Sequence, residues 1–212
     1  MPPFQRIVKC AMLPVMSDIP TIFRSSELMS RGDTALVVID AQEKLIPAVV
    51  ASARAVWNMR RLIDAARILG LSVAASEQYP QGLGATVAEL ASRLPARPPN
   101  RMFSCRELGN LFTDLREQQV FKLLLCGIET HVCVQQTALD LMADGWRVYI
   151  PVDAVSARSD LDHQIALRRM EASGAVLTTT EAALFEWCET AEAAEFKQIS
   201  QLVREAPPKG NS

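Results

Sequence analysis

The stretch Leu123-Leu124-Leu125-Cys126-Gly127-Ile128-Glu129-Thr130-His131-Val132-Cys133-Val134 reads as a short buried strand, a glycine turn and then a cysteine on the first turn of a helix. Only the thiolate form of cysteine is a nucleophile. The free N–H groups and positive dipole end of a helix N-terminus lower a thiol pKa toward neutrality. The same N–H groups can hydrogen-bond an oxyanion formed by attack on a carbonyl carbon. A free cysteine also behaves as a small hydrophobe, so the segment alone leaves an inert, buried Cys133 open.

Outward from this segment the chain alternates apolar runs with amphipathic stretches. Thr34–Ile39 is β-branched and nearly all apolar, the pattern of a strand covered on both faces. Ala55, Met59, Leu62, Ile63, Ala66 and Leu69 form the stripe of a helix over 52–69, closed by Gly70. Further strands are expected at 71–76, 121–126, 146–152 and 175–178. Helices are expected near 107–118, 131–144, 159–173, 180–188 and 195–204. Gln78–Asn100, rich in Pro and Gly, reads as a long loop with a short helix at 86–93.

Strand–helix alternation of this kind gives right-handed crossovers. It predicts a three-layer α/β/α fold around a doubly wound, mostly parallel, Rossmann-like sheet. In such sheets the site lies beyond the carboxyl ends of the strands. Those ends deliver Asp40 with Gln42, then Glu77 with Tyr79, and the turn leading to Cys133, while Asn100-Arg101-Met102-Phe103-Ser104 sits in a loop before a helix. An acid that ends an apolar strand needs a partner or a task. Capping the Gln42 and Glu43 N–H groups is the alternative role for Asp40.

The 212 residues carry a formal charge of −2, which gives no general drive toward nucleic acid or anionic membranes. No apolar run reaches membrane-spanning length, so a soluble body is expected, with one domain over 31–205. Five cysteines without paired local spacing point to a reduced, intracellular compartment. Residues 1–30 read as a flexible leader or extension. Up to Glu27 their only acid is Asp18, against Arg6, Lys9 and Arg24. That balance fits a mitochondrial transit segment, and an upstream extension before Met29 of a cytoplasmic protein fits equally. Residues 206–212 are expected to form a frayed tail.

Val37-Val38-Ile39-Asp40-Ala41-Gln42, the turn Cys126–Val134 with Thr137-Ala138-Leu139-Asp140, and Ser159 through Ala175 together resemble the isochorismatase-like cysteine hydrolases over residues 33–204. Glu77-Gln78-Tyr79-Pro80-Gln81-Gly82-Leu83-Gly84 is similar to the eukaryotic isochorismatase domain-containing proteins, and a trypanosomatid protein described as a mitochondrial-associated ribonuclease looks similar as well. The resemblance implies a nucleophile, Cys133, and an acid, Asp40, that takes the thiol proton. It also implies a lysine that holds the pair and the substrate. It places a cis peptide at Ile128–Glu129, with the Glu129 and Cys133 N–H groups as oxyanion donors. Gln42, Tyr79 and Phe103 are expected to line the substrate pocket. The partners implied are a small-molecule substrate and further copies of the chain, with no cofactor, no membrane and no nucleic acid.

Three departures stand against direct transfer. The position of the family lysine falls on Asn100; Arg101 comes one residue late as a possible substitute, and Arg97 three early. Where the nicotinamidase branch carries an Asp-x-His metal motif, this chain reads Glu77-Gln78-Tyr79, so no metal is expected. Glu129 replaces a small residue, and its carboxylate would raise the Cys133 pKa unless it reached solvent or an arginine. The reading is a metal-free cysteine hydrolase of a small polar molecule with an amide, amidine or vinyl-ether-like bond. A degenerate relative acting as a binding or scaffold protein is the alternative, and an RNA-associated or ribonuclease-labelled protein the third.

Overall fold

The computed structural model describes residues 24–108 and 110–208. The strands are β1 (Thr34–Ile39), β2 (Ser72–Ala75), β3 (Glu77–Gln78), β4 (Pro99–Asn100), β5 (Lys122–Ile128), β6 (Arg147–Pro151), β7 (Val155–Ser156) and β8 (Val176–Thr178). The helices are α1 (Ser52–Leu69), α2 (Pro80–Leu83), α3 (Ala88–Ala91), α4 (Leu111–Glu117), α5 (Gln135–Ala143), α6 (Asp160–Ala172), α7 (Thr180–Cys188) and α8 (Phe196–Val203). The main sheet runs β2-β1-β5-β6-β8, parallel throughout, and β7 pairs with the end of β5.

Period-two alternation along the strands sorts the core into two layers. Leu36 and Val38 of β1, with Leu124, Cys126 and Ile128 of β5, pack with residues of α1, α7 and α8. Ala35, Val37 and Ile39 of β1, with Leu123 and Leu125 of β5, pack on the other face with residues of α4, α5 and α6. This is the three-layer, doubly wound arrangement expected. From β1 the chain crosses to β2 on one side, and β5 later joins β1 on the other. The winding therefore reverses between β1 and β5, where a ligand crevice opens in sheets of this kind.

Two expectations are corrected. Residues 24–30 are not a loose leader: Met29 is fully buried in the core and its N–H donates to Glu186 Oε2 at 2.8 Å. Lys122 Nζ donates to Leu28 O and to Asp33 Oδ2, each at 2.7 Å, which ties the same segment to the start of β5. The rest of the expected leader, residues 1–23, and residues 209–212 lie outside the described residues. The stretch 78–100 is more ordered than a loop, because α2, α3 and the parallel pair β3–β4 occupy it. Gln42 supplies the missing signal: its Nε2 donates to Gln78 O and Gly84 O, and its Oε1 accepts from Gln78 N.

Candidate active site at the reversal point

Asp40 follows directly on β1 with φ of 50°, a left-handed conformation sparsely used by residues other than glycine. That backbone turn carries its carboxyl beneath the exit of the sheet, where it is fully buried. Oδ1 accepts a hydrogen bond from Ser76 Oγ at 2.7 Å, and Oδ2 has no partner of hydrogen-bonding geometry. Burial pushes the carboxyl pKa up to about 6, against the Cys133 thiol, Ser76 and the Gln78 N–H, which hold it down. The rise makes Asp40 a stronger proton acceptor than an ordinary aspartate.

Cys133 approaches from the neighbouring strand. β5 pairs with β1 in the register Ile39↔Gly127, so the residues after each strand come out side by side. Gly127 lies inside β5 with φ of 130°, and a Cβ there would stand 2.0 Å from Ile39 O. Only glycine allows the two strands that close at this point. The Ile128–Glu129 peptide is cis. A π-helical turn over Thr130–Val134 follows, then α5, so Cys133 sits on a widened turn rather than on the first turn of a regular α-helix.

The lowered thiol pKa expected from the helix terminus is not what the site produces. Cys133 is only 4% exposed, and burial, the adjacent Asp40 carboxyl and the nearby Cys105 thiol push its pKa up. Desolvation and a neighbouring anion outweigh the dipole. The Glu129 N–H is the group that acts in the opposite direction on the thiol. The Glu129 side chain turns away to Arg158, accepting from its N–H at 3.1 Å and its Nε at 3.0 Å. His163 Nδ1 lies 2.9 Å from Thr130 Oγ1 and braces the start of the same turn.

The remaining expected residues are brought to this edge in different ways. Asn100 is buried at the end of β4, paired in register with Gln78. Its Nδ2 donates to Ser104 O at 2.8 Å and its Oδ1 accepts from Met102 N at 3.1 Å, so the amide closes its own loop. Arg101 is exposed, and Arg97 is bonded to Glu77 Oε1 at 2.9 Å and to the carbonyls of Ala91 and Pro95. Gln42 is fully buried with its amide saturated by backbone. Tyr79 and Phe103 are 54% and 51% exposed, beside Met102 at 59%.

Sequence reasoning assigned no role to Ser76 or Thr137, although Thr137 lies in a stretch that carries the family resemblance. Ser76 differs from the strand before it only in being polar at its carboxyl end. Thr137 stands one helical turn beyond Cys133 and accepts from Cys105 N at 3.0 Å, which pins the far end of the Asn100–Cys105 loop to α5. Among the described residues, no three His, Cys, Asp or Glu side chains group closely enough to hold a metal ion, and no helix is long and apolar enough to cross a membrane.

A family model described as the isochorismatase domain matches residues 34–182, a span that includes both Asp40 and Cys133. The chain belongs to the isochorismatase-domain family. It is 39% identical over 177 residues to isochorismatase domain-containing protein 2 of Bos taurus, covering 84% of this chain and 86% of that one. Among solved structures it is similar to the MAR1 ribonuclease of Caenorhabditis elegans, at 37% identity and a TM-score of 0.79, covering 86% of this chain and 95% of that one. The YcaC gene product of Escherichia coli, described as an octameric hydrolase of unknown specificity, shares the fold at 21% identity and a TM-score of 0.77, covering 85% of this chain and 91% of that one.

Proposed function

We propose that this isochorismatase-family protein is a cysteine hydrolase of a small polar substrate carrying an amide or a related bond, with Cys133 as nucleophile and Asp40 as base. The observation that carries the reading is the fully buried Asp40 carboxyl beside the Cys133 thiol at the reversal point of the sheet. On attack the thiol proton moves to Asp40, and sulfur bonds to the carbonyl carbon. The C–N bond then breaks as the protonated Asp40 hands its proton to the leaving nitrogen. Water, deprotonated by Asp40, displaces the sulfur from the acyl group and restores the thiol. The N–H groups of Glu129 and Cys133 are the proposed oxyanion donors. Self-association belongs to the same proposal, since α6 exposes Leu161 and Ile165 one turn apart; light scattering at a monomer mass would refute it.

A screen of small amides and esters with wild type and Cys133→Ala tests the chemistry. Turnover that vanishes in the variant, with an acyl mass on the Cys133 peptide of the wild type, is the expected result. Turnover equal in both proteins would remove Cys133 from the reaction. One observation favours a second reading, a binding protein without turnover: Asn100 stands at the family lysine position with its amide already occupied. Ligands that raise Tm in both proteins without being consumed would select it. RNA cleavage unchanged in Cys133→Ala would assign any activity of the kind named for the C. elegans relative to another surface.

A further inference from the structure

Among the described residues, Asp40 is an anion without a counter-ion. It is fully buried, Ser76 donates to Oδ1, Oδ2 has no partner of regular hydrogen-bonding geometry, and the groups beside the carboxyl, the Cys133 thiol and the Gln78 N–H, are neutral. A buried carboxylate is normally paired with a cation or neutralised. Among the described residues, each cation of the surrounding loops is directed elsewhere. Arg97 is paired with Glu77, Arg158 with Glu129, and Lys44 Nζ donates to Gly82 O at 2.7 Å. Arg101 is exposed, and Asn100 contributes no charge.

Tyr79, next in the chain to Gln78, and Met102 and Phe103, in the loop that follows Asn100, are exposed and polarisable. Tyr79 N donates to Asn100 O at 2.8 Å, which seats Tyr79 beside the loop that carries Met102 and Phe103. That loop runs from β4, next to Gln78, to Cys105, which is pinned to α5 through Thr137. It therefore spans from the Asp40 side of the site to the Cys133 side. Aromatic faces attract ligand cations and do nothing comparable for anions.

Resting on the reading of Cys133 and Asp40 as the reacting pair, we infer that the substrate brings its own positive charge, an ammonium or amidinium group borne on a small amide or ester, and that this group takes the place of the absent lysine against Asp40. The geometry selects a cation over an anion of equal size, because an anion would face an unpaired carboxylate with no protein charge to offset it.

The test compares Cys133 labelling by two methanethiosulfonates of similar length, one aminoethyl and one sulfonatoethyl, followed by peptide mass spectrometry at pH 7.5. Rates are divided by those of 2-mercaptoethanol, an uncharged thiol, to remove the reagents' own difference. The expected result is a preference of about tenfold or more for the cationic reagent, falling to within about twofold in Asp40→Asn. No preference in the wild type, or one that Asp40→Asn leaves intact, overturns the inference while the nucleophile assignment stands. Should the variant fail to fold, the wild-type ratio measured again at pH 5, where the Asp40 carboxyl with its pKa of about 6 is mostly protonated, serves instead, and it must shrink. Cys133 unlabelled by either reagent overturns the nucleophile assignment and the inference with it.

Discussion

Replacing Asp40 with asparagine should change how the stability of the fold depends on pH, in a direction opposite to that of most carboxyl groups. The folded protein raises the Asp40 pKa from its ordinary value of 3.8 to about 6. Below pH 3.8 the carboxyl is protonated in both folded and unfolded chains and contributes nothing. Between the two values only the folded chain holds the proton, so stability falls as pH rises, by about 1.4 kcal/mol per pH unit. Above pH 6 both states are ionised, and the buried charge costs the fold about 3 kcal/mol in total. Asparagine keeps the oxygen that accepts from Ser76 and cannot ionise. Urea titrations of both proteins from pH 4 to 8 yield a difference curve in which constant effects of the amide cancel. The lowered pKa values of Asp33, Glu77 and Glu195 act with the opposite sign but are common to both proteins. The difference should grow by about 2.5 kcal/mol between pH 4 and 7 and stay flat from there to pH 8. A difference independent of pH would refute the raised pKa and with it the case for Asp40 as an unusually basic carboxylate.

Two further substitutions examine the supports of the pair. Ser76→Ala removes a buried donor to the Asp40 carboxylate, which stabilised the charged form, so the upper end of the same difference curve should move up by about one to two pH units; an unmoved curve would show that Ser76 does not act on Asp40. Gly127→Ala forces a Cβ to 2.0 Å from Ile39 O in a left-handed backbone, against rigid main chain, and should cost about 3 kcal/mol or more. Gly70→Ala, at φ of 76° with nothing within 4 Å, has only the strain, so its Tm should fall by less, and equal losses in the two variants would refute the packing argument.

The parts of this architecture that the sequence reveals are those written in long apolar runs. β1 and β5 are buried at every position, and α1 carries a stripe over its full length, so their existence and the position of Asp40 at a strand end followed from pattern alone. The hidden parts rest on polar contacts between distant residues. β7 has only Val155 and Ser156 and exists because the end of β5 offers it a partner. The β3–β4 pair, in a stretch that composition marks as a loop, depends on Gln42, which bonds Gln78 across 36 residues of chain. The same holds within the site. The helix terminus beside Cys133 is visible in sequence, whereas the depth of its burial and the carboxyl against it appear only after folding, and they decide the sign of its pKa shift. Arg158 as the partner of Glu129 has no local signature either.

The hydrogen bonds of Asn100 also bear on how this chain could ever change. A lysine at that position would supply a charge to the site, but it would release Ser104 O and Met102 N, the two main-chain groups that Asn100 now holds. One substitution would thus add a cation and unfasten the loop meant to present it. The residue is constrained: a lysine there becomes acceptable only after another side chain has taken over the loop closure, so the order in which changes accumulate, and not the chemical merit of the lysine, governs whether that state is reachable.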